Sequence, residues 1–320
     1  MKRFAITVLL LACAFAAHAR KNHTDITPSG EYLFAQKDSC SLFLSVYDPE
    51  EGAAATPDGA RKPSVLFVFG GGFVEGSRND RYYLPWFKLL NENGYGVVSA
   101  DYRLALKGKR MRFDLIHILQ SAKAVKEAVD MGVEDVFSAV RYLIDNEVGI
   151  NPYNLVIAGS SAGAMISLSC ILETCNSSSR ASILPDFFRF KGAMSFAGAI
   201  MSDFGVPEYM STPPPQLLFH GIDDGAVAYS KIAFGRYGIY GSSALVRDVL
   251  SKHGYDYAIY RYVGHGHDIA AQLFATWPEQ KLFLERNVAA GMHRTIDATI
   301  DDPAIPQMRK LSKLSITDIY

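Results

Sequence analysis

The sequence contains few cysteines and no surplus of positive charge, and both shortages limit what the protein can be. Four cysteines occur among 320 residues; Cys13 lies in an N-terminal apolar segment, which leaves Cys40, Cys170 and Cys175. Three cysteines cannot all be paired in disulfides, and their spacing matches no metal-binding pattern. The formal net charge of −1 provides no basic face for nucleic acid. We therefore expect neither a metal site nor a nucleic-acid partner.

The apolar run at the N-terminus is too short to cross a bilayer. Two basic residues precede the run at 4–17, and Ala-His-Ala at 17–19 fits a signal-peptidase site. This pattern is typical of a secretory signal peptide. It predicts that residues 1–19 are removed, that no transmembrane span remains, and that the protein is periplasmic or extracellular. Lipoprotein anchoring through Cys13 is the less favoured alternative, because the surrounding lipobox is imperfect.

Short apolar runs alternate with helical periodicity along the rest of the chain. Strands are predicted at 42–47, 64–69, 96–101, 154–159, 192–197, 216–220 and 257–262, and helices at 83–93, 116–146, 162–173, 243–253 and 270–287. Gly132 is expected to interrupt the second helix. The alternation predicts an α/β fold with a mainly parallel central sheet of about eight strands, helices on both faces and no large cap domain. We assign residues 20–291 to this domain and residues 292–320 to a polar C-terminal extension.

The stretch LVIAGSSAGAM at 155–165 contains the strongest chemical signal. An apolar run leads into Gly159-Ser160-Ser161-Ala162-Gly163, which matches G-x-S-x-G. In this motif a sharp strand-to-helix turn holds the serine in a strained backbone conformation, and only small neighbours fit around it. The turn lifts the hydroxyl clear of the sheet at a helix N-terminus. The pattern predicts Ser161 as a nucleophile; a tight turn without chemistry is the alternative.

A serine nucleophile needs a base to take its proton. The sequence Gly-His-Gly-His at 264–267 follows the last predicted strand and offers two histidines. We favour His267 over His265, because the glycine at 266 lets the following imidazole turn inward.

The base in turn needs a carboxylate to orient it. Asp223 and Asp224 both follow the predicted strand at 216–220. We favour Asp224, with Asp223 as the alternative. The order along the chain is then Ser, Asp, His, which is the order found in the α/β-hydrolase fold. His220, at the end of the same strand, is interpreted as structural.

The glycine run at 70–72 follows an apolar strand and can supply backbone donors to an oxyanion. Glycines let the main chain approach a substrate without side chains in the way, and the Ala162 amide follows the nucleophile directly. The run is not a phosphate loop, because no Gly-Lys-Ser/Thr follows it.

Together these segments resemble secreted bacterial α/β-hydrolase esterases of the hormone-sensitive-lipase-like and feruloyl- or acetyl-esterase-like groups. The matching segments are VLFVFGGGFVEGS at 65–77, VVSADYRLA at 97–105, NLVIAGSSAGA at 154–164, LLFHGIDDGAV at 217–227 and YRYVGHGHD at 260–268. The resemblance implies a catalytic triad and an oxyanion hole but no cofactor; the triad would be Ser161, Asp224 and His267, and the oxyanion hole Gly71, Gly72 and Ala162. The sequence departs from the family at Phe69, where these esterases often have histidine.

The expected function is hydrolysis of carboxylic esters through an acyl-enzyme. The short connection between Ser161 and Asp224 leaves no room for a large lid, which favours short acyl groups, acetyl or aromatic, carried on small-molecule or carbohydrate alcohols. Two alternatives from other classes stay open: a serine peptidase of the prolyl-oligopeptidase type and a non-enzymatic binding protein of the same fold. Lactones and thioesters would be hydrolysed by the same chemistry.

Overall fold

A nine-stranded sheet forms the centre of the protein in the computed structural model, which describes residues 26–49 and 61–320. Its strands are β1 Gly30–Lys37, β2 Cys40–Tyr47, β3 Ser64–Val68, β4 Val97–Ala100, β5 Leu155–Ser160, β6 Gly192–Phe196, β8 Gln216–Gly221, β11 Tyr257–Tyr262 and β12 Thr295–Ile300. Across the sheet they lie in the order β1-β2-β4-β3-β5-β6-β8-β11-β12. The predicted signal peptide and Cys13 lie outside the described residues.

The sheet is parallel from β4 to β12, and only β2 runs antiparallel to its neighbours β1 and β4. The central strands β3, β5 and β6 are buried almost throughout, as expected for parallel strands covered on both faces. A separate antiparallel sheet, which the sequence pattern does not predict, contains β7 Ala199–Ser202, β9 Lys231–Phe234 and β10 Tyr237–Gly241.

In the part of the chain that the structure describes, five helices lie between strands along the chain, and two short ones follow the last strand. They are α1 Leu84–Glu92, α2 Ile118–Asp145, α3 Ala162–Cys175, α4 Ser242–Leu245, α5 Trp277–Phe283, α6 Arg309–Ser312 and α7 Ile316–Ile319. Segments of π-helix continue α4 and α5 over Val246–Leu250 and Leu284–Ala289, and 3₁₀ turns cover Ala181–Ile183 and His267–Ala271. The predicted α/β-hydrolase architecture without a large cap domain is confirmed. Among the described residues, no helix has both the length and the apolarity needed to cross a bilayer.

The long helix α2 is continuous through Gly132, so the expected interruption is wrong. Gly132 is buried where α2 meets α3, and a Cβ atom there would lie 2.4 Å from Cδ1 of Ile166. The glycine therefore serves close helix packing rather than a break in the helix. Its cost in helix propensity is offset by the buried face of a long amphipathic helix.

Residues 292–320 are not a separate polar extension of the domain. Within this segment, β12 pairs in parallel with β11 over the whole strand and forms an edge of the main sheet. Arg261 on β11 binds Asp297 on β12. The alternation of exposed and half-buried residues in β12 is that of an edge strand, which explains why the segment reads as polar in the sequence. The sheet therefore continues past the predicted boundary at 291.

We expect Gly132→Val to destabilise the fold by about 1–3 kcal/mol, because the new side chain would push α2 away from Ile166. Urea unfolding measures this loss. The control is Gln120→Val, an exposed position on the same helix, which carries only the propensity cost of a β-branched residue. In an Ile166→Ala background the cost of Gly132→Val should shrink; equal costs in both backgrounds would contradict the packing explanation.

Candidate active site

Ser161 occupies a strained turn between β5 and α3. Its backbone has φ +52° and ψ −118°, a region that non-glycine residues rarely adopt. The two flanking glycines of the motif are needed because of contacts with the backbone: a Cβ on Gly159 would lie 2.2 Å from the Gly163 carbonyl oxygen, and one on Gly163 would lie 2.1 Å from the Val68 carbonyl oxygen. These close backbone contacts explain why the motif requires glycine at both positions.

The three side chains predicted as a triad form an unbroken chain of hydrogen bonds. Oγ of Ser161 lies 2.8 Å from Nε2 of His267, and Nδ1 of His267 lies 2.9 Å from Oδ2 of Asp224. Since an ionised carboxylate can only accept, Nδ1 carries the hydrogen and Nε2 presents its lone pair to the serine hydroxyl. This is the tautomer in which an imidazole can take a proton from serine.

Asp224 is held ionised in a buried position. Its side chain is fully buried, and Oδ1 accepts hydrogen bonds from the backbone amides of Ala226 at 2.8 Å and Val227 at 2.9 Å. Burial by itself would raise the pKa of Asp224, but hydrogen bonds from His220 and His267 outweigh it and hold the pKa well below its usual range. The carboxylate is therefore negative throughout the pH range in which an imidazole titrates.

His220, which the sequence predicts to be structural, lies beside Asp224 in this site. Its imidazole is fully buried, with Nε2 at 3.1 Å from the Val227 carbonyl and 3.3 Å from Oδ2 of Asp224. Because both neighbours only accept, Nε2 carries the hydrogen, and Nδ1 accepts from the Ser242 hydroxyl at 2.8 Å. The one signal in the sequence for its contact with Asp224 is that it stands four residues before Asp224, at the end of β8.

His265 and Asp223, the less favoured alternatives for the base and its carboxylate, are not part of the hydrogen-bonded chain at Ser161. Nδ1 of His265 is 2.8 Å from Oδ2 of Asp268, which makes a second buried histidine–aspartate pair that does not include Ser161. Asp223 is exposed to solvent. Among the described residues, no three His, Cys, Asp or Glu side chains are arranged to hold a metal ion.

In the glycine loop after β3, the carbonyl groups of Gly71 and Gly72 accept hydrogen bonds, whereas the amides of these two residues point to no acceptor among the described residues. Gly71 and Gly72 have φ of +130° and +62°. The Gly71 carbonyl accepts from the amides of Val74 and Glu75, and the Gly72 carbonyl accepts from the Tyr320 hydroxyl at 2.7 Å. The amides of Gly71 and Gly72 have no hydrogen-bond acceptor among the described residues. These two predicted donors are thus available to an oxyanion.

Two further tyrosines hold the start of this loop, where these esterases often have histidine. Phe69 is buried and stacks on Tyr102 with ring centroids 4.5 Å apart, and the Tyr102 hydroxyl donates to the Phe69 carbonyl at 3.1 Å. The amide of Gly70 donates to the Tyr83 hydroxyl at 3.2 Å. Burial raises the pKa of Tyr83, which keeps that hydroxyl protonated. Aromatic hydroxyl groups therefore shape the loop without an imidazole at position 69.

Two cavities meet at Ser161. The smaller, which we call the acyl pocket, has a free volume of about 40 Å³. Its walls are mostly apolar and comprise, besides Ser161, the residues Gly72, Phe73, Val125, Ala162, Met165, Ala226, Val227, Ala228, Ile239, Ile316, Ile319 and Tyr320. The larger, which we call the outer cleft, has a free volume of about 630 Å³ and also contains His267, Tyr82 and Tyr83. Of the residues that the structure describes, Gly72, Ser161 and Ile319 alone line both cavities.

Solved structures of similar fold include an esterase from the planctomycete Thermogutta terrifontis. Its apo form superposes with a TM-score of 0.58 at 20% sequence identity, covering 84% of this chain and 97% of that one. Its propionate-bound form superposes with a TM-score of 0.56 at 19% identity, covering 82% and 95%. At this level of identity the likeness concerns the fold alone.

Curated relatives match shorter stretches. Neuroligin-2 from Mus musculus is 29% identical over 157 residues, which is 44% of this chain and 17% of that protein. Esterase B1 from Culex pipiens is 29% identical over 106 residues, which is 32% of this chain and 17% of that protein. The matched stretches thus span about a sixth of the length of either relative.

A family model described as the carboxylesterase family matches residues 12–204. The match covers more than half of the chain and includes the glycine loop and Ser161, while Asp224 and His267 lie beyond it. Together with the fold and the geometry around Ser161, the match shows that the chain belongs to the carboxylesterase family.

Proposed function

We propose that the protein is a serine hydrolase that cleaves carboxylic esters of short acyl groups through an acyl-enzyme. The observation that supports this most directly is the chain of hydrogen bonds from Ser161 through His267 to Asp224, next to the unoccupied amides of the glycine loop. A nucleophile, a base in the correct tautomer and oxyanion donors are the parts that acyl transfer requires.

Each residue has a distinct part in the proposed reaction. Oγ of Ser161 attacks the ester carbonyl carbon while Nε2 of His267 takes the hydroxyl proton. The amides of Gly71, Gly72 and Ala162 donate to the carbonyl oxygen as it becomes negative, and Asp224 stabilises the protonated imidazole. His267 then gives its proton to the departing alcohol. In the second half of the reaction, His267 takes a proton from the water that attacks the acyl carbon and returns it to Oγ of Ser161 as the acid leaves.

The acyl pocket favours small acyl groups. A water-sized group needs roughly 10–15 Å³ of such volume, so about 40 Å³ holds an acetyl group or a chain a little longer. An aromatic acyl group needs more space than this. Of the two acyl classes expected from the sequence, we therefore propose the acetyl class. Propionate, which is bound in the Thermogutta terrifontis esterase of the same fold, is an acid of similar size.

The outer cleft favours a bulky, hydroxyl-rich alcohol. It is open to solvent, one side carries Tyr82 and Tyr83, and Glu75, Asp80 and Asp318 also line it. Aromatic faces and carboxylate oxygens suit sugar rings and their hydroxyl groups, whereas no lysine or arginine is among the described residues of this cleft to attract an anion. We propose acetylated carbohydrate as the substrate class.

Ser161→Ala should lower kcat for p-nitrophenyl acetate by about 10⁴-fold or more, because nucleophile and base act as one unit. Fluorophosphonate labelling of the variant should also be lost. Ser160→Ala is the matched control: its hydroxyl donates to the Ala270 carbonyl at 2.8 Å and has no part in the proposed chemistry, so labelling should persist. A Ser161→Ala protein that keeps the parental rate would contradict the assignment.

The size of the acyl pocket predicts a sharp dependence on acyl length. The parental kcat/KM should be highest for p-nitrophenyl acetate or propionate and at least about 10-fold lower for the octanoate, since each misfitting methylene costs about 10-fold or more. On natural substrates, acetylated xylan should release acetate faster than feruloylated xylan releases ferulate. A preference for octanoate esters or long-chain triglycerides would rule out the proposed class.

The lowered pKa of Asp224 predicts how the free energy of unfolding depends on pH. Because its folded-state pKa lies below the unfolded value of about 3.9, its ionised form stabilises the fold above pH 4, and this stabilisation is lost as the pH falls through the folded-state value. In urea unfolding, the advantage of the parent over Asp224→Asn should be full at pH 7 and 5 and shrink below pH 3. Exposed Asp223→Asn is the control, with an effect under about 0.5 kcal/mol at pH 7.

A further inference from the structure

The segment 311–320 lies across the candidate active site and contacts all of its loops. The Ser312 hydroxyl accepts from the amide of Gly266, next to His267, and the amide of Ile316 donates to the carbonyl of Gly225, next to Asp224. Tyr320 donates to the Gly72 carbonyl. One short stretch of chain is thereby tied to the loop of the base, the loop of the carboxylate and the oxyanion loop.

The contact with the histidine loop is a close backbone approach. A Cβ atom on Gly266 would lie 2.0 Å from the Ser312 carbonyl oxygen, so no larger residue fits there without moving the segment. The segment also has its own internal order, since Asp318 accepts from both the amide and the hydroxyl of Ser315 in a capping box. Its side chains are therefore held in place against the site.

Ile319 stands between the two cavities at the nucleophile. Within the described part of the chain, it is the one residue besides Gly72 and Ser161 that lines both the acyl pocket and the outer cleft. A Cβ on Gly72 would lie 2.4 Å from Cγ2 of Ile319, which shows how closely the isoleucine covers the oxyanion loop. Removing its branched side chain would join the small pocket to the larger space.

Tyr320 fixes the peptide that follows the oxyanion donors. Its hydroxyl holds the Gly72 carbonyl at 2.7 Å, and its ring contacts Phe113 with centroids 5.7 Å apart. Since the peptide unit is planar, this hydrogen bond fixes the orientation of the Gly72–Phe73 peptide. Gly72, which carries the donor amide on its other side at φ of +62°, has no side chain to restrict its own rotation.

We propose that residues 311–320 form a specificity and positioning element of the active site, in which Ile319 limits the acyl chain and Tyr320 holds the oxyanion loop. The proposal rests on the proposed ester hydrolysis and adds to it the residues that select the acyl group. Neither residue touches a reacting atom in the proposed mechanism, so both act through the space and the peptide next to Ser161.

Ile319→Ala tests the specificity role. The ratio of kcat/KM for p-nitrophenyl acetate to that for the octanoate should fall by about 10-fold or more, through a gain on the octanoate. Ile305→Ala is the matched control, because Ile305 is half-buried in the same C-terminal region but lines neither cavity; its ratio should stay parental. An unchanged ratio in Ile319→Ala overturns the specificity role.

Tyr320→Phe tests the positioning role. We expect kcat for p-nitrophenyl acetate to fall about 10-fold while KM stays within two-fold, because the lost hydrogen bond loosens oxyanion donors that act in the transition state. Tyr209→Phe is the control: it removes a buried hydroxyl bonded to Gln216 away from the site, and should lower stability without lowering kcat. A parental kcat in Tyr320→Phe, or an equal loss in Tyr209→Phe, overturns this role.

The proposed ester hydrolysis and the role of residues 311–320 can be overturned by different results. A parent that neither labels with fluorophosphonate nor hydrolyses any p-nitrophenyl ester would end the proposed function and this inference with it. A parent that is active and labels, with the Ile319 and Tyr320 variants behaving as their controls, would overturn only the role of residues 311–320.

Discussion

The backbone contact between Gly163 and the end of β3 determines the geometry of the site. With no side chain on Gly163, the N-terminus of α3 lies directly against the carbonyl oxygens of Val68 and Phe69. The glycine loop starts at this point of the chain, so the same contact fixes both Ser161 and the loop that faces it. A larger residue at 163 would push the two apart, because its Cβ would lie 2.1 Å from the Val68 carbonyl oxygen.

The loop that begins there is supported by tyrosines from three distant parts of the sequence. Tyr83, Tyr102 and Tyr320 each use a hydroxyl to hold one backbone group between Phe69 and Gly72. A phenol can reach a backbone group from the core while its ring stays in apolar surroundings. The loop therefore keeps its conformation without a histidine at position 69, because the three tyrosine hydroxyl groups provide its hydrogen bonds.

The parts of the protein that the sequence predicted well are those encoded locally. Buried parallel strands appear as continuous apolar runs, and the turn at Ser161 requires small residues at fixed spacing, so the sheet and the meeting of Ser161, Asp224 and His267 could be anticipated. Contacts between distant segments leave no such trace. The edge strand β12 reads as polar, Gly132 resembles a helix breaker until Ile166 is placed against it, and nothing near residue 320 points to Gly72.

Asp224 accepts hydrogen bonds from two backbone amides and from the imidazole of His267, and Nε2 of His220 lies 3.3 Å from the same oxygen that His267 contacts. Because both carboxylate oxygens are engaged in this way, the group is held in one orientation. In the proposed reaction, the imidazole can therefore turn from Oγ of Ser161 towards the departing alcohol only through the side-chain torsions of His267. The hydrogen bond to the fixed carboxylate limits how far the imidazole can rotate. It therefore also limits the positions at which the leaving oxygen of a proposed substrate could receive the proton.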